Sequence, residues 1–151
     1  MSDSVSAPDV AALNAAMTTR ILEQPARPAV EGGYALRVLR STGRRSGRVR
    51  ETPLGVVCLH GRSYLVSPDP ARAWVRNLDA DPAAGIASAD GTEAVTARRA
   101  PAAEAAPVVS AYLRAMSVPW ALQAFPVPAD ASLEEITAHL DTIAVFRLDP
   151  R

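Results

Sequence analysis

The chain has 151 residues, 48% of them hydrophobic, and its sixteen arginines balance sixteen acidic residues, so the formal net charge is zero. This length and composition predict one domain, residues 1–151, with a core that needs no disulfide or structural metal. The neutral balance and an aromatic content of only 5% argue against a nucleic-acid surface, and no apolar stretch reaches the length of a membrane span.

The first predicted element is a helix over about residues 8–24, ahead of a barrel core at about residues 34–148. Ser6 or Asp9 can cap this helix, and apolar side chains then recur at helical spacing: Val10, Leu13, Met17 and Ile21. The polar, acidic start of the chain is unlike a signal peptide. Because the single cysteine, Cys58, fits a reducing compartment, we expect a soluble, cytoplasmic protein.

Three strands follow the helix. The first is predicted by the alternation of apolar residues with small or charged ones, at Tyr34, Leu36 and Val38. Residues 49–59 match its hairpin partner, and Pro53 within them implies a sheet edge or a bulge, because proline has no N–H to donate. Residues 63–67 form a third strand, which the following Pro-Asp-Pro ends. Cys58 is more typical of a buried strand residue here than of a nucleophile.

The turn between the first two strands is strongly cationic. Six arginines precede the next acid, Glu51: Arg37, Arg40, Arg44, Arg45, Arg48 and Arg50. Residues 42–48, TGRRSGR, form what we call the arginine turn, in which two glycines and the hydroxyls of Thr42 and Ser46 accompany the guanidiniums. Forked donors at this density suit phosphate or carboxylate oxygens. The turn therefore predicts an anion site, with a simply solvated arginine surface as the alternative.

The second half of the chain mixes helices and strands. A helix over residues 70–80 places three apolar residues on one face, Ala71, Trp74 and Leu78. Strands at residues 83–89 and 92–98 flank Asp90-Gly91, a two-residue hairpin signal. A helix over residues 101–116 carries an apolar stripe at helical spacing, formed by Val108, Val109, Tyr112, Leu113 and Met116.

The C-terminal region predicts one more helix and a closing strand. Ser132 and Glu135 form a capping box for a helix over residues 132–140, and residues 142–148 form the strand. Five or six antiparallel strands with two or three helices predict an α+β fold, mainly β, in which a small barrel is covered by helices.

An apolar loop, VPWALQAFPVP, precedes the capping box at residues 118–128. Its large side chains, Trp120, Leu122 and Phe125, either cover the core or wall an apolar substrate pocket beside the arginine turn. The two readings predict different exposure of Trp120, and Trp120 with Phe125 is our prediction for the pocket.

Other kinds of site find no support in the sequence. His60 and His139 are isolated, and no cysteine or acidic spacing joins them, so we predict no metal. The chain also has no glycine-rich dinucleotide fingerprint and no Walker loop, so neither a Rossmann fold nor a nucleoside triphosphatase is indicated.

The succession TGRRSGRVRETPL, SYLVS and AWVRNLDADP resembles the deazaflavin (coenzyme F-420)-dependent nitroreductase family of actinobacteria, a branch of the split β-barrel flavin-binding superfamily. The resemblance covers roughly residues 34–116. Its first pattern, two glycines, three basic positions and a Pro-Leu at fixed spacing, is matched by Gly43, Arg44, Arg45, Ser46, Gly47, Arg50, Pro53 and Leu54. Its second, weaker pattern is matched by Trp74, Asn77 and Leu78.

The resemblance implies that the protein binds reduced coenzyme F-420, whose tail carries a phosphodiester and a polyglutamate chain. The arginines would grip the phosphate and tail with Ser46 as a further donor, Pro53 and Leu54 would lie near the ring, and the helix would close the ring site. The implied cofactor-binding residues are Arg44, Arg45, Ser46, Arg50, Pro53, Leu54, Ser67, Trp74 and Asn77. Tyr112 is the implied catalytic residue, with water as the other source of a proton.

One segment departs from the family. Many members carry a Gly-Gly-rich loop after the third strand, where backbone N–H groups meet the deazaflavin ring. This chain has the short link SPDPAR, residues 67–72, whose two prolines lack that donor.

The function implied is a deazaflavin-dependent oxidoreductase that transfers hydride to an activated C=C, quinone or nitro compound, with a secondary-metabolite intermediate as the first expectation. The short link leaves an alternative open, in which the same barrel binds FMN or haem or acts as a cofactor-free lyase or cyclase. A non-catalytic anion-binding protein is the third reading. The expected partner is a small-molecule substrate, with no nucleic acid and no membrane, for a monomer or a homodimer.

Overall fold

Six antiparallel strands close into a barrel in the order β1-β2-β3-β6-β5-β4, in a computed structural model that describes residues 10–151. The strands are β1 (Tyr34–Thr42), β2 (Val49–Leu59), β3 (Arg62–Ser67), β4 (Ala83–Ser88), β5 (Gly91–Arg99) and β6 (Ala144–Pro150). The helices are α1 (Val10–Glu23), α2 (Ala73–Ala80), α3 (Ala102–Ala115), α4 (Pro119–Gln123) and α5 (Leu133–Thr137). The predicted α+β barrel with helical covers is confirmed. The proposed caps of α1, Ser6 and Asp9, lie outside the described residues.

The hairpin of β1 and β2 forms as the alternation predicted. Its register runs without interruption from the pair Tyr34 and Val57 to the pair Thr42 and Val49, so the bulge considered at Pro53 is absent. The edge is confirmed, because β2 pairs with β3 only over Val57–Leu59. Proline is tolerated at this position because, on the side of β2 away from β1, no described strand pairs with Pro53 and no N–H donor is needed.

Side chains alternate between two apolar layers along the strands. Val56 points into the barrel cluster, which also contains Trp74 and Leu78 of α2. The next residue, Val57, points into an outer cluster under α3. Three residues of the predicted stripe of α3 are buried: Val108, Val109 and Leu113 are at most 1% exposed.

Two helices differ from prediction. The stripe of α1 is not buried: Val10, Leu13 and Met17 are 65%, 56% and 40% exposed, and Thr18 is the buried residue of this helix. Helix α2 begins at Ala73 and not at Pro70, because the N–H of Ala71 bonds to the Asp69 carboxylate in a preceding turn. Ala71 therefore lies outside the helix and is exposed.

The second half of the chain follows several of the sequence signals, although α5 ends at Thr137 and not at Leu140. The Ser132 hydroxyl accepts a 3.1 Å bond from the Glu135 N–H at the start of α5, which confirms the cap. Ser88 and Gly91 pair across the predicted hairpin, where Gly91 has a φ of +127° that favours glycine. The loop at residues 118–128 contains the short helix α4, which was not predicted. No helix within residues 10–151 has the length and apolarity needed to span a membrane.

A cationic cavity at the arginine turn

The arginine turn is held in shape by its own backbone. The Gly43 N–H donates to the Arg48 carbonyl at 2.7 Å, and the Gly47 N–H donates to the Gly43 carbonyl at 2.8 Å. The Arg48 N–H donates to the Ser46 hydroxyl at 3.1 Å. Gly47 adopts a φ of +70°, a conformation that glycine takes without strain. The turn is therefore ordered before any ligand arrives.

Gly43 is required by close approach of its neighbours. A Cβ at this position would lie 2.8 Å from the Ser46 Oγ and 3.2 Å from the Arg48 carbonyl oxygen. It would also lie 3.3 Å from the Arg50 Nε. A side chain here would push the Ser46 hydroxyl and the Arg50 guanidinium away from the turn.

A cavity of about 360 Å³ lies between the turn, β2 and α2. It is lined by Gly43, Arg44, Arg45, Ser46, Arg50, Glu51, Thr52, Ala73, Trp74 and Asn77. The fold thus brings together six of the nine cofactor-binding residues that the sequence predicts, from segments some thirty residues apart in the chain: Arg44, Arg45, Ser46, Arg50, Trp74 and Asn77.

The arginines of the cluster divide by their partners. Arg40 is paired with Glu51 at 2.8 Å, and Arg37 donates to the carbonyls of Leu36 and Arg27. Within residues 10–151, Arg45 and Arg50 form no ion pair. Because Arg40 compensates the acid that lines the cavity, the free guanidiniums leave it with a net positive character, which suits an anion.

Asn77 connects α2 to the arginine turn. Its Oδ1 accepts two bonds of 3.1 Å from Arg44, one from the backbone N–H and one from Nη1. The residue is only 4% exposed, so this side chain is a fixed part of the cavity wall. Trp74, one turn earlier in the helix, is 7% exposed and packs against Phe146 at 6.1 Å between ring centroids.

Three of the sequence-predicted residues lie away from the cavity lining. Pro53 is half-buried on β2, and Leu54 packs against the barrel cluster. Ser67 is fully buried, and its hydroxyl donates to the Asp69 carbonyl at 2.8 Å and accepts from the Asp69 N–H at 3.2 Å. The Ser67 hydroxyl is thus used to shape the link between β3 and α2.

The link at residues 67–72 has its backbone donors already occupied. The N–H of Asp69 bonds to Ser67, that of Ala71 bonds to the Asp69 carboxylate, and that of Arg72 bonds to the Asp69 carbonyl. Pro68 and Pro70 have no N–H. The departure from the family pattern noted in the sequence therefore extends to the structure, because the N–H groups of Asp69, Ala71 and Arg72 are all used within the link.

Tyr112 lies in an aromatic cluster on the outer side of the barrel. Its ring meets Tyr34 edge-on, with centroids 5.4 Å apart, and meets Phe125 in the same manner at 5.9 Å. Burial raises the pKa of Tyr112, and the neighbouring Tyr34 adds to the rise. The phenol therefore keeps its proton at neutral pH.

Tyr34 is a member of this cluster that the sequence did not single out. Its ring lies over Gly55, where a Cβ would come within 2.7 Å of the Tyr34 Cδ2, and its hydroxyl donates to the Met116 Sδ at 3.7 Å. The sequence signal that could have indicated this contact is Gly55, two residues after Pro53 in the same strand, because a glycine within a strand leaves room for a neighbouring ring. Thr52 and Ala73 of the cavity lining were missed too, since only the fold brings them there.

The two residues predicted for a substrate pocket occupy different environments. Phe125 is 9% exposed and belongs to the outer cluster, whereas Trp120 on α4 is 76% exposed. Neither lines the cationic cavity. The exposure of Trp120 rules out the reading in which it covers the core.

Comparisons with known proteins agree with this architecture. Residues 21–124 match the family described as F420H(2)-dependent quinone reductase. A solved structure described as the F420-H2 dependent reductase FDR-A is 22% identical, with a TM-score of 0.50 over 82% of this chain and 99% of that one. No curated protein sequence matches the chain significantly.

Two further structures share the fold. A haem-binding protein from Mycobacterium smegmatis is 20% identical, with a TM-score of 0.53 over 95% of this chain and 52% of that one. A structure described as a domain-swapped dimer is 22% identical, with a TM-score of 0.52 over 92% of this chain and 98% of that one. At these identities the likeness establishes the split barrel alone.

Proposed function

Because the chain belongs to the F420H(2)-dependent quinone reductase family, and is thus an F-420-dependent oxidoreductase, we propose how it holds its coenzyme and what it reduces. The arginine turn binds the anionic tail of reduced coenzyme F-420. The acceptor is an electron-poor small molecule, namely an activated C=C, a quinone or a nitro compound. The single observation that carries this proposal is the cavity in which Arg45 and Arg50 stand without an acid partner in the described chain.

The residues of the cavity fit the tail of the coenzyme. A phosphodiester and a polyglutamate chain are anionic, and forked guanidinium donors bind both phosphate and carboxylate oxygens. Arg45 and Arg50 supply the charge. Because the Ser46 oxygen accepts from the Arg48 N–H, the hydroxyl hydrogen of Ser46 is available to donate to a phosphate oxygen.

The apolar wall of the cavity fits a neighbouring ring. Trp74 and Ala73 line the side formed by α2, and Trp74 is held by Phe146. When bound, the reduced deazaflavin supplies the hydride, which no amino-acid side chain can donate. The arginine turn would hold the tail through charge, so that the ring could be aligned with the acceptor beside Trp74 and Ala73. The proton that the reduced acceptor needs comes from Tyr112 or from water; Tyr112 belongs to the outer aromatic cluster and does not line the cavity.

The acceptor class follows from the chemistry of hydride transfer. A hydride adds to a π system that is short of electrons, so an activated alkene of a secondary-metabolite intermediate, a quinone or a nitro compound is suitable. The half-buried rings of Tyr34 and Tyr112, which pack edge-on against each other, offer a surface against which a planar acceptor can pack.

A titration tests the proposal. The purified protein is titrated with coenzyme F-420 and, in parallel, with FMN, following ligand fluorescence at low and high salt. We expect micromolar binding of F-420 that weakens steeply with salt, because the tail is held by charge, and weaker binding of FMN. Equal binding at both salt concentrations would contradict the role of the arginine turn.

FMN in the same barrel is the second candidate, and the link at residues 67–72 favours it. With its N–H groups occupied, this segment selects for no particular ring. Tight FMN binding with no binding of F-420 in the titration would replace the first proposal by this one. Haem is a further candidate of the same kind, since a haem-binding protein shares the fold.

For the assembly we propose a monomer or a homodimer. The exposed stripe of α1, Val10, Leu13 and Met17, is available for a second copy, and one structure of this fold is described as a domain-swapped dimer. Light scattering after size exclusion, for the protein and for a variant with Leu13→Glu and Met17→Glu, decides between them. A variant with half the molar mass of the wild-type protein would identify the wild-type protein as a homodimer.

A further inference from the structure

Asn77 differs from the other polar residues of the cavity in what it contacts. Both bonds that its Oδ1 accepts, each of 3.1 Å, come from Arg44, which lies 33 residues earlier in the chain. One bond fixes the backbone at the start of the two adjacent arginines, and the other fixes a guanidinium. The side chain thus acts on the arginine turn as a whole.

Asn77 is itself held rigidly. It is 4% exposed, and the residues on either side of its helical face, Trp74 and Leu78, are 7% and 1% exposed within the barrel cluster. Its own carbonyl accepts the Asp81 N–H that ends α2. Because the Asn77 side chain is fixed in this way, it holds the arginine turn at a defined position relative to the barrel core.

The neutrality of the amide is central to its effect. Arg40, in the same cluster, is held by the carboxylate of Glu51, and its charge is compensated by that bond. Arg44 is held by a neutral carbonyl oxygen and forms no ion pair within the described residues. An amide therefore orders the guanidinium while leaving its positive charge for an anion.

We propose that Asn77 is a positioning residue that sets the arginine turn for the phosphate-bearing tail, and that it does not serve as a contact to the ring. This inference rests on the proposed function, since it assigns the tail to the turn. Asn77 then determines how strongly the protein distinguishes the whole coenzyme from its ring portion. The arginines supply the attraction, and Asn77 supplies the geometry that makes two or more of them act on one anion.

The test compares two ligands on the same variants. Wild type and Asn77→Ala are titrated with coenzyme F-420 and with the deazaflavin alcohol, which has the same ring but no phosphodiester and no glutamates. We expect Asn77→Ala to raise the Kd for F-420 about tenfold, because a displaced Arg44 would lose one charge-assisted bond to the tail. We expect the Kd for the alcohol to stay unchanged.

Further variants separate position from charge. Asn77→Asp keeps the accepting oxygen but compensates Arg44, so it should weaken F-420 binding and make that binding less sensitive to salt. In an Arg44→Ala background the effect of Asn77→Ala should be smaller than tenfold, because only the bond to the backbone N–H of residue 44 is left to lose. Arg76→Ala, an exposed change on the same helix, is the matched control and should leave the preference between the ligands unaltered.

Three outcomes would overturn the inference. Equal weakening of both ligands would show a ring contact, and an unchanged Kd for F-420 would show that the turn needs no positioning. A lower melting temperature with an unchanged ratio of the two Kd values would show a purely structural role. If wild type binds neither ligand, the proposed function fails, and the same variants are titrated with pyrophosphate. The positioning role of Asn77 is then overturned if Asn77→Ala leaves the Kd for pyrophosphate unchanged.

Discussion

The arginines of the turn have different surroundings, so their replacement should have different effects. Arg40 is compensated by Glu51, whereas Arg45 and Arg50 line the cavity without an acid partner in residues 10–151. We expect Arg45→Ala and Arg50→Ala each to raise the Kd for F-420 by about tenfold or more, the effect of losing one charge-assisted bond. Fluorescence titration measures this, with Arg20→Ala on α1 as a control that should bind normally.

Tyr112 gives a prediction on turnover. If the Tyr112 phenol is the proton donor, Tyr112→Phe should lower kcat on the order of a hundredfold and leave the Kd for the coenzyme unchanged. Burial raises the pKa of Tyr112, so the phenol stays protonated through neutral pH. The fall in kcat that its deprotonation causes should appear only above the ordinary tyrosine pKa near 10. Tyr64→Phe is a matched control outside the site. An unchanged kcat for Tyr112→Phe would assign the proton to water.

At the level of single residues, the sequence predicted the donors better than their arrangement. Arg45, Ser46 and Arg50 are close in the chain, so a local pattern is enough to place them on one turn. The bond between Asn77 and Arg44 joins distant segments, and its existence depends on how α2 packs on the barrel. The use of the Ser67 hydroxyl within its own link likewise depends on a turn conformation that the residue types alone do not determine.

Among the elements, the cap of α5 is a direct test of local stabilisation. The Ser132 hydroxyl accepts from the Glu135 N–H at 3.1 Å, so Ser132→Ala leaves that N–H without its partner. We expect a loss of about 1 kcal/mol in the free energy of unfolding, measured by urea denaturation. Ser132→Asp retains an accepting oxygen and should restore stability. A loss in both variants alike would point to a cause other than the cap.

Strand β2 offers a second test, at the point where it carries no side chain. A Cβ at Gly55 would come within 2.7 Å of the Tyr34 ring, so Gly55→Ala must displace that ring. We expect a loss of about 1–3 kcal/mol in stability and, because Tyr34 supports Tyr112, a lower kcat. The double variant with Tyr34→Ala removes the clash and should recover part of the stability.

The bounds of elements follow from local signals more faithfully than their burial does. Residues 49–59 were predicted as a strand and form one, since alternation and turn residues act over short distances. The apolar stripe of α1 has correct helical spacing, yet Val10, Leu13 and Met17 remain exposed. Burial of a helix face requires a partner surface, and the barrel offers α1 only a small one around Thr18.

For the whole molecule, ion pairs on β6 predict a pH dependence of stability. Arg147 holds Asp149 through two bonds, of 2.9 and 3.2 Å, and this guanidinium lowers the pKa of the Asp149 carboxyl below its usual value. A lowered pKa stabilises the fold above the unfolded value near 3.9, and the contribution is lost as pH falls through the folded value.

The measurement is the urea midpoint of wild type and Asp149→Asn against pH. The variant should be less stable at pH 7 by a small amount, because the carboxylate is 37% exposed and screened by solvent. The two midpoints should converge in acid, as the pH falls through the lowered folded pKa of Asp149. A constant difference across the whole range would show that the charge of Asp149 is not the cause.

The position of β6 in the barrel also bears on how the chain folds during its synthesis. The arginine turn belongs to a hairpin of sequence neighbours, which can form early because little loop entropy is lost. Strand β6 stands between β3 and β5 and is made after both, so the sheet stays open until β6 has been synthesised and can enter. Until then two strand edges are unpaired, and the nascent chain is most exposed to aggregation at the stage when the hairpin of the arginine turn is already complete.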